Sequence, residues 1–332
     1  MTGRSIPATL LAAIEVAAVA AVAWWILAVP AATPAHAASP CWDHVLQTVA
    51  DLEDAPPDGT LVVLFGGSRA REATVTDDHW TKQLRTRCGD DLSGRNLAST
   101  NQTFSEDLAL VEHLPTSSTI VLIGVDEGRF TKPLESRPVV LPQPDPDPAP
   151  YDQHRYSVAK VRSTANKEML VDKWLKERYP VFREYHAANK EQLELLVAMC
   201  LERDLFPVLV ATPWNEDIIG AAFREPRKAW TAHCEKVAAE YDVPFLDFST
   251  DVGLTNDDFY DLFHLVEPGR TKWQRRLSSE VAALLASRED DAAPNASGEG
   301  LQEGSGNGGQ DFATHAQNIG LGAVAELGWQ TG

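Results

Sequence analysis

Cysteine is scarce in this chain. Of 332 residues four are cysteine, Cys41, Cys88, Cys200 and Cys234, and no two stand as C-x-x-C. Zinc ribbons and thioredoxin-like redox sites need that spacing, so neither is supported. Basic residues are also few, 29 Lys and Arg against 48 Asp and Glu, for a net charge of −19. A surface so acidic repels phosphate backbones and anionic headgroups, and nucleic acid is not an expected partner. The acidic Asp145-Pro146-Asp147 lacks the spacing of a Ca2+ loop, and neither a metal nor a cofactor is expected. No internal repeat is found.

Lysine and arginine are missing altogether between Arg4 and Arg69. Inside that gap residues 6–29 are almost wholly apolar, with Glu15 the one charge and Trp24 and Trp25 near the far end. The stretch is close to the ~20 residues that a helix needs to cross a bilayer. With Arg4 before it and no base after it, the positive-inside bias puts the N-terminus in the cytoplasm and the rest outside. Length and the paired Trp favour residues 1–30 as a single-pass anchor. The A-x-A site at Ala35-His36-Ala37 favours a signal peptide cut near Ala37 and a secreted product, and Glu15, costly inside a membrane, weakens the anchor. Both readings export the domain that follows. Outside the cell Cys41 and Cys88 can form a disulfide; the other reading is four buried thiols.

Beyond an Ala/Pro spacer at 31–40, short apolar runs alternate with longer helical patterns over 41–287. Alternation of this kind predicts an α/β fold, a three-layer sandwich with a mostly parallel central sheet. Strands are expected at 60–65, 119–124, 207–212 and 243–248, with a weaker one at 92–98. Helices are expected at 78–87, 105–113, 189–203, 226–241 and 268–287, from apolar recurrences such as Leu193, Leu196 and Cys200. An insertion at 131–186 breaks the alternation. Seven prolines in 133–150 exclude regular structure there, and 154–185 is charged, aromatic and helical in pattern. The Gly, Ser, Asp and Glu content of 288–332 predicts a disordered acidic tail.

Two blocks carry chemistry. In the first, the apolar Leu61-Val62-Val63-Leu64-Phe65 runs into Gly66-Gly67-Ser68-Arg69. Glycines let the chain turn sharply, which presents Ser68 at the carboxyl end of a strand, the edge where open α/β sheets bind ligands. Alone, the pattern is as often a phosphate-binding or structural turn. In the second, Asp261 and His264 are three residues apart, so that one helical turn points them the same way. A carboxylate can then orient the imidazole, and the imidazole can take a proton from a serine. A D-x-x-H ahead of a final helix, with a strand-end serine far upstream, is more specific than either block alone.

Together these blocks resemble the SGNH (GDSL-like) hydrolase superfamily, over about 60–287. That family carries a serine after its first strand, a glycine after the second, an asparagine after the third and a D-x-x-H before the last helix. Ser68, Asp261 and His264 match residue by residue, and His264-Leu265-Val266-Glu267-Pro268-Gly269-Arg270 is similar to an actinobacterial branch of single-anchor proteins. The resemblance implies a flavodoxin-like fold and a serine esterase or O-acyltransferase with those three residues as its triad. The substrate does not follow from the resemblance; acylated carbohydrate or cell-envelope polymer is the leading expectation, and such domains often accompany a membrane-bound O-acyltransferase.

The remaining blocks depart from the family. Gly66-Gly67-Ser68 replaces G-D-S, and the second-block glycine is expected at Ala98, whose N–H would join that of Ser68 as oxyanion donor. The third block reads Gly124-Val125-Asp126 where the family has Gly-x-Asn. An ionised aspartate repels an oxyanion, and losing one donor costs roughly 3 kcal/mol. Either Asp126 is protonated at this place in the oxyanion hole, or Asn101, Gln102 or Arg129 supplies the donor, or the fold is a catalytically inactive binding or assembly module. Gly67, Arg69, Asn101, Arg129, Trp214 and Asn215 are the expected substrate contacts.

Overall fold

The computed structural model describes residues 40–116, 118–134, 138–148 and 150–292. The expected membrane segment at 6–29 and the tail beyond 292 lie outside them. Among the described residues no helix is long and apolar enough to cross a membrane. The chain divides into two units, Met1–Ala286 and Ser287–Gly332, and the second is described only as the end of a helix.

Five strands make one parallel sheet: β1 (Thr60–Phe65), β2 (Leu92–Asn96), β3 (Thr119–Val125), β4 (Phe206–Ala211) and β5 (Phe245–Asp247). Their spatial order is β2-β1-β3-β4-β5. β3 is buried at every position and β1 at all but its first, as strands covered on both faces must be. Leu61, Val63 and Phe65 join one core with Val121, Ile123 and Val125, while Val62 and Leu64 join a second with Ile120 and Leu122. That is the two-residue period of a pleated strand.

The helices are α1 (Pro40–Asp54), α2 (Ser68–Arg71), α3 (Asp77–Cys88), α4 (Phe104–Val111), α5 (Thr164–Glu177), α6 (Tyr179–Glu202), α7 (Glu216–Ile219), α8 (Arg224–Tyr241) and α9 (Glu267–Ala292). α1, α4, α6 and α8 pack on the first face, and α3 and α9 on the second. Three layers result. Buried leucines such as Leu84 and Leu277 contribute about 1.5–3 kcal/mol each to holding the second face closed. Local signals start the helices. Thr76 accepts the His79 N–H at the head of α3, and Thr103 and Glu106 close a capping box at the head of α4.

Two features differ from expectation, and a third falls to one of two open readings. α1 begins at Pro40, a favoured first residue of a helix, and carries Trp42, Val45, Leu46, Val49 and Leu52 into the first core. α6 begins at Tyr179, well ahead of 189, because Phe182 also reaches that core. The four cysteines are free thiols, and Cys41 Sγ accepts a hydrogen bond from Arg71 at 2.6 Å in place of a link to Cys88. The strand order reverses between β1 and β3, and a sheet of this kind opens a crevice beyond the carboxyl ends at that point.

Candidate active site

Ser68 stands in that crevice. β1 ends at Phe65, and Gly66 takes φ +151°, a backbone region that side chains disfavour. A Cβ there would lie 2.6 Å from the Ala70 Cβ, so the turn needs glycine. α2 starts at once, with the Arg71 N–H on Gly67 O and the Glu72 N–H on Ser68 O. Ser68 is left half-buried as the first residue of that turn, its Oγ 2.9 Å from His264 Nε2.

The other imidazole nitrogen, Nδ1, lies 3.0 and 2.9 Å from the two carboxylate oxygens of Asp261. The expected helical turn is not what brings them together. Residues 261–264 form a loop, and Asp261 Oδ1 folds back to accept the N–H groups of Phe263 (2.9 Å) and His264 (3.0 Å). Burial pushes the Asp261 carboxyl up, and the hydrogen bond and charge of His264 with the two backbone N–H groups outweigh it, holding it at about 2. Asp261 therefore stays ionised and fixes the imidazole with Nε2 toward Ser68.

This loop is bolted down by residues the sequence did not single out. Lys167 of α5 is fully buried and gives three hydrogen bonds of 2.8 Å, to Asn256 O, Asn256 Oδ1 and Phe259 O. Tyr156 lies against both the His264 ring (4.5 Å between centroids) and the Tyr260 ring (4.4 Å). Both come from the insertion, whose charged and aromatic content was its only advance signal. Behind Ser68, the buried Glu72 accepts from Arg71, from Arg270 Nη2 at 2.6 Å and from the Arg155 N–H at 2.9 Å, joining α2 to α9 and to the insertion.

A cleft of about 170 Å3 opens beside the pair, lined by Gly67, Ser68, Arg69, Asn101, Asp126 and His264 among others. Several expected contacts are otherwise engaged. Arg69 is buried, forms two hydrogen bonds with Glu127 (2.9 and 2.6 Å) and lies 3.5 Å from the Phe263 ring centre, so it braces the cleft wall. Arg129 spends its guanidinium on Gly124 O (2.9 Å) and Asp107 (2.6 Å), and Gln102 gives its amide to Asp107 (2.7 Å). Trp214 is buried, donates to Glu216 and packs with Trp174, Phe223 and Leu262, away from the cleft. Asn215 is also buried and donates to Asn256 Oδ1 (2.9 Å) and Asp261 O (3.3 Å), a second bolt on the histidine loop.

Two expected oxyanion groups are corrected. The Ala98 N–H is taken by Asn96 Oδ1 at 3.0 Å, and Ala98 is fully buried. Asp126 is an acceptor: its Oδ1 takes the N–H groups of Gly128 (2.7 Å) and Arg129 (3.2 Å), with Arg69 Nε at 3.7 Å. A carboxylate so used has no hydrogen to give. Asn101 is different. It lines the cleft at φ +64°, the left-handed conformation that asparagine tolerates better than most residues, and its side-chain oxygen is held by Lys132 Nζ at 2.8 Å. Among the described residues no set of three or more His, Cys, Asp or Glu side chains is arranged to hold a metal ion.

No protein-family model matches the sequence, and no curated protein does. Solved structures do match. An acetylxylan esterase from Geobacillus stearothermophilus is 12% identical at a TM-score of 0.44, over 68% of this chain and 96% of that one. A putative acylhydrolase from Bacteroides fragilis is 12% identical at 0.41, over 75% and 99%. A GDSL-like lipase from Bacteroides thetaiotaomicron is 10% identical at 0.40, over 74% and 100%. The chain also matches a Bacillus subtilis protein, of which it spans 59%. The solved structures to which this chain is similar thus include GDSL-like lipases, esterases and acylhydrolases.

Proposed function

We propose that this chain is an extracytoplasmic serine esterase or O-acyltransferase of the SGNH type, acting on acyl esters of carbohydrate or cell-envelope polymer. The observation that carries the reading is the continuous relay Ser68 Oγ, His264 Nε2, His264 Nδ1, Asp261 carboxylate, with every step within hydrogen-bond reach. The actinobacterial single-anchor branch and a membrane-bound O-acyltransferase companion belong to the same proposal.

Ser68 Oγ attacks the acyl carbonyl while His264 Nε2 takes its proton. Charge develops on the carbonyl oxygen and would be met by the Ser68 N–H, with Asn101, which lines the cleft, taking the place expected of Ala98. The carbon–oxygen bond to the leaving alcohol breaks, and His264 returns its proton to that alcohol. Water, or a sugar hydroxyl in transfer, then gives its own proton to His264 and attacks the acyl-Ser68; the bond from the acyl carbon to Oγ breaks, and His264 returns the proton to Ser68. Asp261 holds the imidazole throughout and stabilises its charged form.

Asp126 favours a second reading, a catalytically inactive module with the same fold, because its charge borders the cleft. A fluorophosphonate probe separates the two. Active protein is labelled on the Ser68 peptide, as read by mass spectrometry, whereas an unlabelled and folded protein overturns the esterase reading.

A further inference from the structure

The cleft has an uneven charge distribution. Its cations Arg69 and Arg129 are neutralised by Glu127 and Asp107, and its carboxylate Asp126, capped by backbone N–H groups, keeps its charge at the cleft wall. Two further cations line the same cleft, Lys132 and Arg178. Lys132 is half-buried, and the partner described for its ammonium is the neutral amide oxygen of Asn101. Arg178, the residue that caps the end of α5, is exposed, and among the described residues its guanidinium has no carboxylate partner. Burial and then the charge of Arg178 push the Lys132 ammonium down, partly opposed by the carboxylates of Asp126 and Glu106. Among the described residues neither cation has a carboxylate partner, which makes their end of the cleft locally positive in a protein whose net charge is −19. Such a local field concentrates anions and raises their encounter rate.

We propose that the cleft selects acyl esters that also carry a carboxylate or a phosphate, bound between Lys132 and Arg178. The inference rests on the esterase reading and names its substrate class: the ester of an acidic carbohydrate or polymer. Trp174, which lines this cleft and a neighbouring groove with Arg178, offers an apolar face alongside the charge.

The full chain is assayed on 4-acetoxybenzoate, 4-acetoxyphenyl phosphate and the neutral 4-acetoxybenzamide, each kcat/KM divided by that ester's own hydroxide rate constant. An anionic ester should be preferred by about fivefold or more at low salt, the scale of an exposed charge pair. The preference should fall toward one in about 1 M NaCl, where charges are screened beyond ~3 Å. It should fall likewise in Arg178→Gln and Lys132→Gln, and Arg178→Lys should recover most of it. The larger ratio, carboxylate or phosphate, identifies the anion. A ratio at or below one for both anions, or a ratio that neither variant moves, overturns this inference alone. Turnover of none of the three, with no fluorophosphonate label on Ser68, overturns the esterase reading and this one with it.

Discussion

Ser68 Oγ is held 2.9 Å from its base, so Ser68→Ala should leave the fold intact and lower ester turnover by roughly 10^4-fold or more. Circular dichroism and a p-nitrophenyl acetate assay check both halves. Asp261→Asn should cost roughly 10^4-fold, by favouring the wrong imidazole tautomer. Its effect on stability has a definite pH window. The folded carboxyl sits at about 2, below the ordinary value of 3.8, so ionised Asp261 stabilises the fold above about pH 4. That contribution, about 2 kcal/mol, is lost as pH falls from 4 towards 2. Urea midpoints of the parent and Asp261→Asn should converge over that range; a constant difference would refute the assignment. Asp126→Asn should retain activity or raise it, because Asn Oδ1 can accept the same two N–H groups while the charge beside the oxyanion is removed. A folded but strongly impaired variant would give the carboxylate a positive role.

At the scale of elements, the turn between β1 and α2 is the most demanding. Gly66→Ala combines a disfavoured φ with a 2.6 Å contact, and should destabilise the protein by about 3 kcal/mol in urea unfolding. Asp77, the first residue of α3, points the other way. It accepts the Asn96 N–H, and burial raises its carboxyl to about 6, only partly opposed by that bond and by Arg95. Ionised Asp77 therefore costs stability as pH rises from 4 through 6, and Asp77→Asn should gain about 2 kcal/mol at pH 7 and little at pH 4. What was legible beforehand follows the same division. β1, Ser68 and the D-x-x-H are local patterns, and they were readable. Ala98 was misjudged because its N–H is claimed by the side chain of Asn96, while the left-handed residue is Asn101. Arg69 and Arg129 read as substrate contacts in the sequence because their partners, Glu127 and Asp107, lie far along the chain. Trp214 and Asn215 were placed after the right strand, but a strand's end does not say which way a loop side chain turns.

For the whole molecule, the export proposal predicts that a reporter fused after Ala38 is active outside the cytoplasm, and that the full chain sediments with membranes. Intact, uncleaved protein in the cytosol would refute it; a secreted form beginning near Ala38 would favour the signal peptide. The relay also has a consequence in time. The nucleophile and its base are 196 residues apart, and Glu72 is clasped to Arg270 across 198. A chain emerging from N- to C-terminus presents Ser68 early and His264 late, so under the proposed relay the serine stays inert for most of synthesis. Under that proposal its reactivity begins only once His264 reaches it. Chains ended at residue 255 should take no fluorophosphonate label, and addition of the missing segment in one piece should be what switches the serine on.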